Sequence, residues 1–185
     1  MLVAASSLRR FAVATQHNEM RVVEVEARDV LQPPVVRLRY LLSSRPERVF
    51  DTFLDPAKIE PWLHRGVGEV RHLALQPYEG GSLVVVARRP DGDPLDGYGT
   101  IRELKRPHRI AFTWTAPKTD FPESLVTIDI EERADGGSVL VLTHVMDASC
   151  ADVSERVEAT WHGVLDALVE TLGYPACDDP SIDEP

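Results

Sequence analysis

The stretch Asp152 to Leu172 limits what this chain can become more than any other. Val153, Val157, Trp161, Val164, Leu165, Leu168 and Leu172 recur at three- and four-residue steps, while Glu155, Arg156, Glu158, His162, Asp166 and Glu170 fall on the other side. That spacing is one amphipathic helix of about six turns. If all seven apolar side chains are buried they contribute roughly 1.5 to 3 kcal/mol each, about 10 to 20 kcal/mol together as an upper bound. A stripe of that size needs a cover, and no comparable second helix precedes it. Segments with strand character do, so the expectation is an α+β fold in which a sheet wraps around a single long helix.

The strands are read from alternation and turn residues. Val36, Leu38, Tyr40 and Leu42 share one face of a half-buried strand. Ser44 with Glu47 reads as a capping box, followed by a short helical stripe of Val49, Phe50, Phe53 and Leu54. A second short helix over Ala57 to Leu63 carries Ile59, Trp62 and Leu63. From Val67 to Met146 no helical period is present. The strand-like runs there are Glu69–Leu75, Ser82–Arg88, Tyr98–Leu104, Arg109–Ala116, Leu125–Glu132 and Ser138–Met146, with a turn cluster over Asp91–Gly97. With the first strand this makes about seven, joined by short connections that favour antiparallel pairing. Residues 1–34 read as an extension, expected to be mostly disordered apart from a short edge strand over Arg21 to Ala27. A weak transit peptide and a start at Met20 account for the first stretch equally well. Residues 35–173 are the expected domain and 174–185 an acidic tail.

The formal charge is -10, and it is unevenly placed. Up to Met146 the chain carries 19 basic and 20 acidic residues, whereas Asp147 to Pro185 carries Arg156 alone against 10 acidic ones. With no basic stripe to release counterions from phosphates, nucleic acid is not an expected partner. No apolar run approaches the ~18 residues of a membrane span. Cys150 and Cys177 flank a helix of about 30 Å, so both read as free thiols in a reducing, cytoplasmic setting. Gly66-x-Gly68 and Gly97-x-Gly99 lack the third glycine of a dinucleotide loop, and no GxSxG, HExxH or CxxC pattern occurs. No cofactor and no metal are expected.

Four stretches carry a resemblance. They are Pro46–Phe53 with Asp55-Pro56 and Trp62; GYGTIRELKRPHRIAFTW over Gly97–Trp114; SLVTIDIEERADGGSVLVLTH over Ser124–His144; and TWHGVLDALVETL over Thr160–Leu172. In their order and spacing the chain resembles the START-like or SRPBCC superfamily, and within it the family of activator of heat shock protein 90 ATPase homologues. The resemblance implies a helix-grip fold: a curved antiparallel sheet gripping the C-terminal helix, two short helices after the first strand, and a mostly apolar cavity between sheet and helix.

His144 is the one candidate for catalysis, because counting by twos puts it on the strand face of Leu140, Leu142 and Met146. The plainer reading, which we favour, is a histidine at a strand end that is exposed or paired with backbone, and the opposite face, Val139, Val141 and Val145, is an equal candidate for the inside. Trp62, Tyr98, Phe112, Trp114, His144, Met146, Trp161 and Leu165 are the candidate ligand-binding residues, although aromatic residues on periodic faces are more often core. His162 reads as solvated on the polar side of the helix. Asp129 and Glu131 read as outer-face surface, not an acid/base pair. The expected function is a binding protein for a small hydrophobic molecule, monomeric or homodimeric. The alternatives are a polyketide cyclase-like enzyme using the same cavity, and a co-chaperone-like or regulatory domain that binds a protein partner.

Overall fold

The computed structural model describes residues 11–12, 22–23 and 32–173. In the unit Met1–Gln32, β1 (Phe11–Ala12) pairs antiparallel with β2 (Val22–Val23). Other expectations for the first 31 residues, and those for Cys177 and the acidic tail, lie outside the described residues.

In the unit from Pro33 onward, β3 (Val35–Leu42) leads into α1 (Pro46–Thr52) and α2 (Pro56–Val67). There follow β4 (Glu69–Leu75), β5 (Ser82–Arg88), β6 (Pro94–Lys105), β7 (Arg109–Ala116), β8 (Phe121–Glu132) and β9 (Ser138–Val145), and last α3 (Ser154–Leu172). The strands form one seven-stranded antiparallel sheet in the order β3-β9-β8-β7-β6-β5-β4. β4 to β8 each pair with the next strand in sequence, and β3 joins at the far side of β9. Register shifts at Val70/His72, Ile101/Glu103 and Trp114/Ala116 are bulges that bend the strands, and the sheet is curved and open. This is the expected helix-grip α+β architecture.

The inner face follows the alternation. Val36, Leu38 and Leu42 of β3, Val126, Ile128 and Ile130 of β8, and Leu140 and Leu142 of β9 are buried with Phe50 of α1. The face of β9 left open by the sequence is settled: His144 is 2% exposed and points inward, while Val145 is 37% exposed. Asp129 is half-buried and Glu131 exposed, on the other side of β8.

Several local expectations are corrected. Ser44 does not cap α1, whose N-cap is Arg45 without a side-chain bond and whose first turn is set by Pro46. Instead the Ser44 hydroxyl donates to the Leu172 carbonyl at 3.1 Å and the Ser43 hydroxyl to the Gly173 carbonyl at 2.6 Å. The serines satisfy two of the carbonyls that the end of α3 leaves open. The second short helix runs on to Val67, through Gly66, because α2 packs against α3. A Cβ on Gly66 would lie 2.5 Å from the Val164 Cα, and one on Gly163 would lie 2.9 Å from the Gly66 carbonyl oxygen. The turn after β5 spans Arg89–Asp93, and Pro94, Asp96 and Gly97 belong to β6. Gly97 is there for space: a Cβ would fall 1.8 Å from the Trp114 ring on the neighbouring strand. His162 is exposed but engaged. Its Nδ1 lies 2.8 Å from the Tyr40 hydroxyl, which donates to Asp166 at 2.8 Å and ties α3 to β3. Burial, and then that bond to Asp166, push the Tyr40 phenol well above its ordinary pKa.

Candidate functional site

Curved sheet and helix do not fill the space between them, and a cavity of about 600 Å³ remains. Its sheet wall is apolar, with Leu73, Leu75, Leu83, Val85, Leu95, Ile101 and Phe112. α2 contributes Ile59, Trp62, Leu63 and Val67, and α3 contributes Val157, Trp161 and Val164, with Val153 just before it. Volume and chemistry are those of a site for a small, mostly apolar molecule.

Of the residues singled out from sequence, Trp62, Phe112, Trp114, His144 and Trp161 border this cavity. Met146 and Leu165 are buried in the surrounding core, and Tyr98 is 41% exposed; none of these three is among the cavity-lining residues. All three tryptophans of the chain therefore meet at one space.

His144 is neither exposed nor paired with backbone, contrary to the plainer sequence reading. The Trp161 indole N–H donates to its Nδ1 at 3.0 Å, and its Nε2 lies 2.8 Å from the Ser124 hydroxyl, which donates to the Trp114 carbonyl at 2.8 Å. These bonds fix the tautomer. Nδ1 accepts, so the proton of the neutral ring sits on Nε2 and is donated to Ser124, and the chain runs in one direction from α3 to β7. Burial disfavours the imidazolium and lowers the His144 pKa from 6.5 to about 4. With both nitrogens engaged, the ring has no free lone pair for a substrate proton.

The indole N–H of Trp62 behaves differently. Trp62 is 4% exposed, packs edge-on against Phe53 at 5.4 Å, and its Nε1 finds no acceptor. A buried donor left unmatched costs about 1 to 3 kcal/mol.

Charged residues also border the cavity: Arg89, Asp93, Lys118, Asp120, Asp152 and Arg156. Lys118 is paired with the carboxylate of Asp96, which is 4% exposed, and that partner raises the Lys118 pKa. Arg89 donates to the Thr160 hydroxyl at 3.1 Å, and burial first, then the nearby Arg156, lower its pKa from the ordinary value. Sequence reading passed over Arg89, and took Arg156 for part of a solvated face. The available signal was the isolation of Arg156, the sole basic residue after Met146. Cys150 is 3% exposed, also borders the cavity, and its thiol pKa is raised mainly by burial. Among the described residues no cluster of histidine, cysteine, aspartate and glutamate is arranged to hold a metal ion, and no helix is long and apolar enough to cross a membrane.

A family model described as "Activator of Hsp90 ATPase homolog 1-like protein" matches residues 43–173. Solved structures share the fold at low identity. CalU16 from Micromonospora echinospora is 22% identical, with a TM-score of 0.56 over 75% of this chain and 74% of that one. Mll3558 from Rhizobium loti is 23% identical, with a TM-score of 0.63 over 75% and 96%. PFC0360w, an HSP90 activator from Plasmodium falciparum, is 21% identical, with a TM-score of 0.60 over 76% and 97%. No curated protein matches the chain.

Proposed function

Since this chain belongs to the activator of Hsp90 ATPase homolog 1-like family, within the START-like superfamily, we propose that it holds one small, largely apolar molecule between the sheet and α3, without converting it. The observation that carries this reading is the apolar cavity of about 600 Å³ between sheet and α3, bordered by all three tryptophans. The engaged nitrogens of His144 argue for holding over proton transfer, and so against the cyclase-like alternative. A cytoplasmic setting belongs to the same proposal and is supported by the free, buried thiol of Cys150.

Native mass spectrometry of protein purified from its own cells, with extraction of whatever is bound, tests it. We expect one defined adduct at near-full occupancy. Bare protein that also takes up no added apolar compound would overturn the reading.

A second reading, binding to a chaperone, has its own observation. Val35, Val145 and Leu125 are paired across β3, β9 and β8 and are 54%, 37% and 42% exposed, an apolar row on the outer face. The likeness to an HSP90 activator supports it further. Mixing the protein with an Hsp90 chaperone and measuring ATP hydrolysis decides the matter: stimulation abolished by Val145→Asp favours this reading, and no stimulation removes it.

A further inference from the structure

Two guanidinium groups at the solvent edge of the cavity are left over by the packing of sheet and helix. Arg89 follows β5, is half-buried, and has as its side-chain hydrogen-bond partner the neutral hydroxyl of Thr160 at 3.1 Å. Arg156 lies one turn earlier on α3, where its carbonyl accepts from the same hydroxyl at 2.8 Å. Both border the cavity, and among the described residues neither forms an ion pair. The third cation of the lining, Lys118, is already matched by Asp96. Asp91 and Asp93 lie near Arg89, but they do not offset its burial and the repulsion from Arg156. Two close cations, one of them half out of water and without a carboxylate partner, are stabilised by an anion placed between them.

We propose that the ligand is an amphiphilic carboxylic acid, its carboxylate held by Arg89 and Arg156 at the edge of the cavity and its apolar chain extending inward among the three tryptophans. This rests on the cavity-binding reading above. The planar fork of each guanidinium suits a carboxylate. A monoanion is favoured over a phosphate dianion, because Asp93 and Asp152 border the same edge and repel added negative charge.

Intrinsic fluorescence tests this directly, since every tryptophan in the chain borders the cavity. The probes are dodecanoate, dodecanol and dodecyl phosphate, titrated into the full chain below their micelle concentrations. Dodecanoate is expected to bind roughly tenfold tighter than dodecanol, the worth of one charge-assisted hydrogen bond, and tighter than dodecyl phosphate. Arg89→Gln and Arg156→Gln each remove most of that preference and leave dodecanol affinity unchanged, a readout that a merely structural role would not give. Arg156 is exposed, so its variant keeps the test valid if Arg89→Gln fails to fold. Equal affinity for acid and alcohol, or a preference that survives Arg156→Gln, overturns the carboxylate site and leaves the cavity reading standing. Tighter binding of dodecyl phosphate overturns the choice of a monoanion. Binding of none of the three overturns the site and the cavity reading together.

Discussion

The two halves of α3 carry the same apolar spacing and meet different neighbours. From Leu165 to Leu172 the stripe is sealed: Leu165, Leu168 and Leu172 are 1 to 7% exposed and none of them borders the cavity. Ala167 and Val169, outside the expected stripe, are buried too, because α2 comes close across Gly66 and Gly163 and covers a second side. In the first half Val157 and Trp161 are half-buried and face the cavity, as does Val153 before them. One half is packed like a core, and the other is apolar surface waiting for something that is not protein. Periodicity reports that a side chain leaves water and is silent on what it meets instead.

The difference is open to attack, and the largest effect is expected where packing is complete. Leu168→Ala should cost about 2 to 5 kcal/mol in urea unfolding, while Val157→Ala should cost under about 1 because its side chain already borders empty space. Equal losses would mean that the cavity half is as tightly packed as the other. Next comes acid. Neutral His144 is favoured by folding, so between pH 6.5 and about 4 the unfolded chain takes a proton that the folded chain refuses, and stability falls as pH falls. At ~1.4 kcal/mol per pH unit the loss is about 3 kcal/mol and is complete below the folded pKa. Comparing pH–stability curves of the parent protein and His144→Gln isolates it; parallel curves would show that the imidazole is not held neutral. Gly163→Ala should follow at about 1 to 3 kcal/mol, since the α2–α3 crossing has to open to admit a methyl group. A small effect, about 1 kcal/mol, is expected last for Trp161→Phe, which takes the donor from His144 Nδ1 and leaves a ring in place. Ligand affinity should move more than stability in that variant, and the reverse would place Trp161 with the packed half.

Much of the architecture was legible. Seven strands and three helices follow from alternation, turn residues and one long stripe, because those signals are local and the side chains concerned report only burial. Misreadings arose where a residue serves a distant partner. Ser44 suits the start of α1 and is used at the end of α3; Gly97 suits a turn and is used as a seat for Trp114; Gly66 suits a loop and is used at a helix crossing. The candidate site was legible to the same degree. Trp62, Trp114 and Trp161 stand out as aromatic residues on periodic faces, yet nothing local separates them from Met146 and Leu165, which became core. Arg89 and Arg156, 67 positions apart in the sequence, gain meaning only when the end of β5 and the first turn of α3 are brought to the same hydroxyl.

β3 pairs with β9 alone, Val35 facing Val145 and Leu42 facing Ser138. On a growing chain this gives an order of events. The strands from β4 onward find a partner in the segment made next, so that part of the sheet can assemble hairpin by hairpin as synthesis proceeds. The first strand of the sheet has no place to go until the last has been made, and the serines that follow it wait longer still, for Leu172 and Gly173. A ribosome stalled anywhere before β9 therefore presents an apolar strand without its neighbour, the kind of segment that chaperones are built to shield.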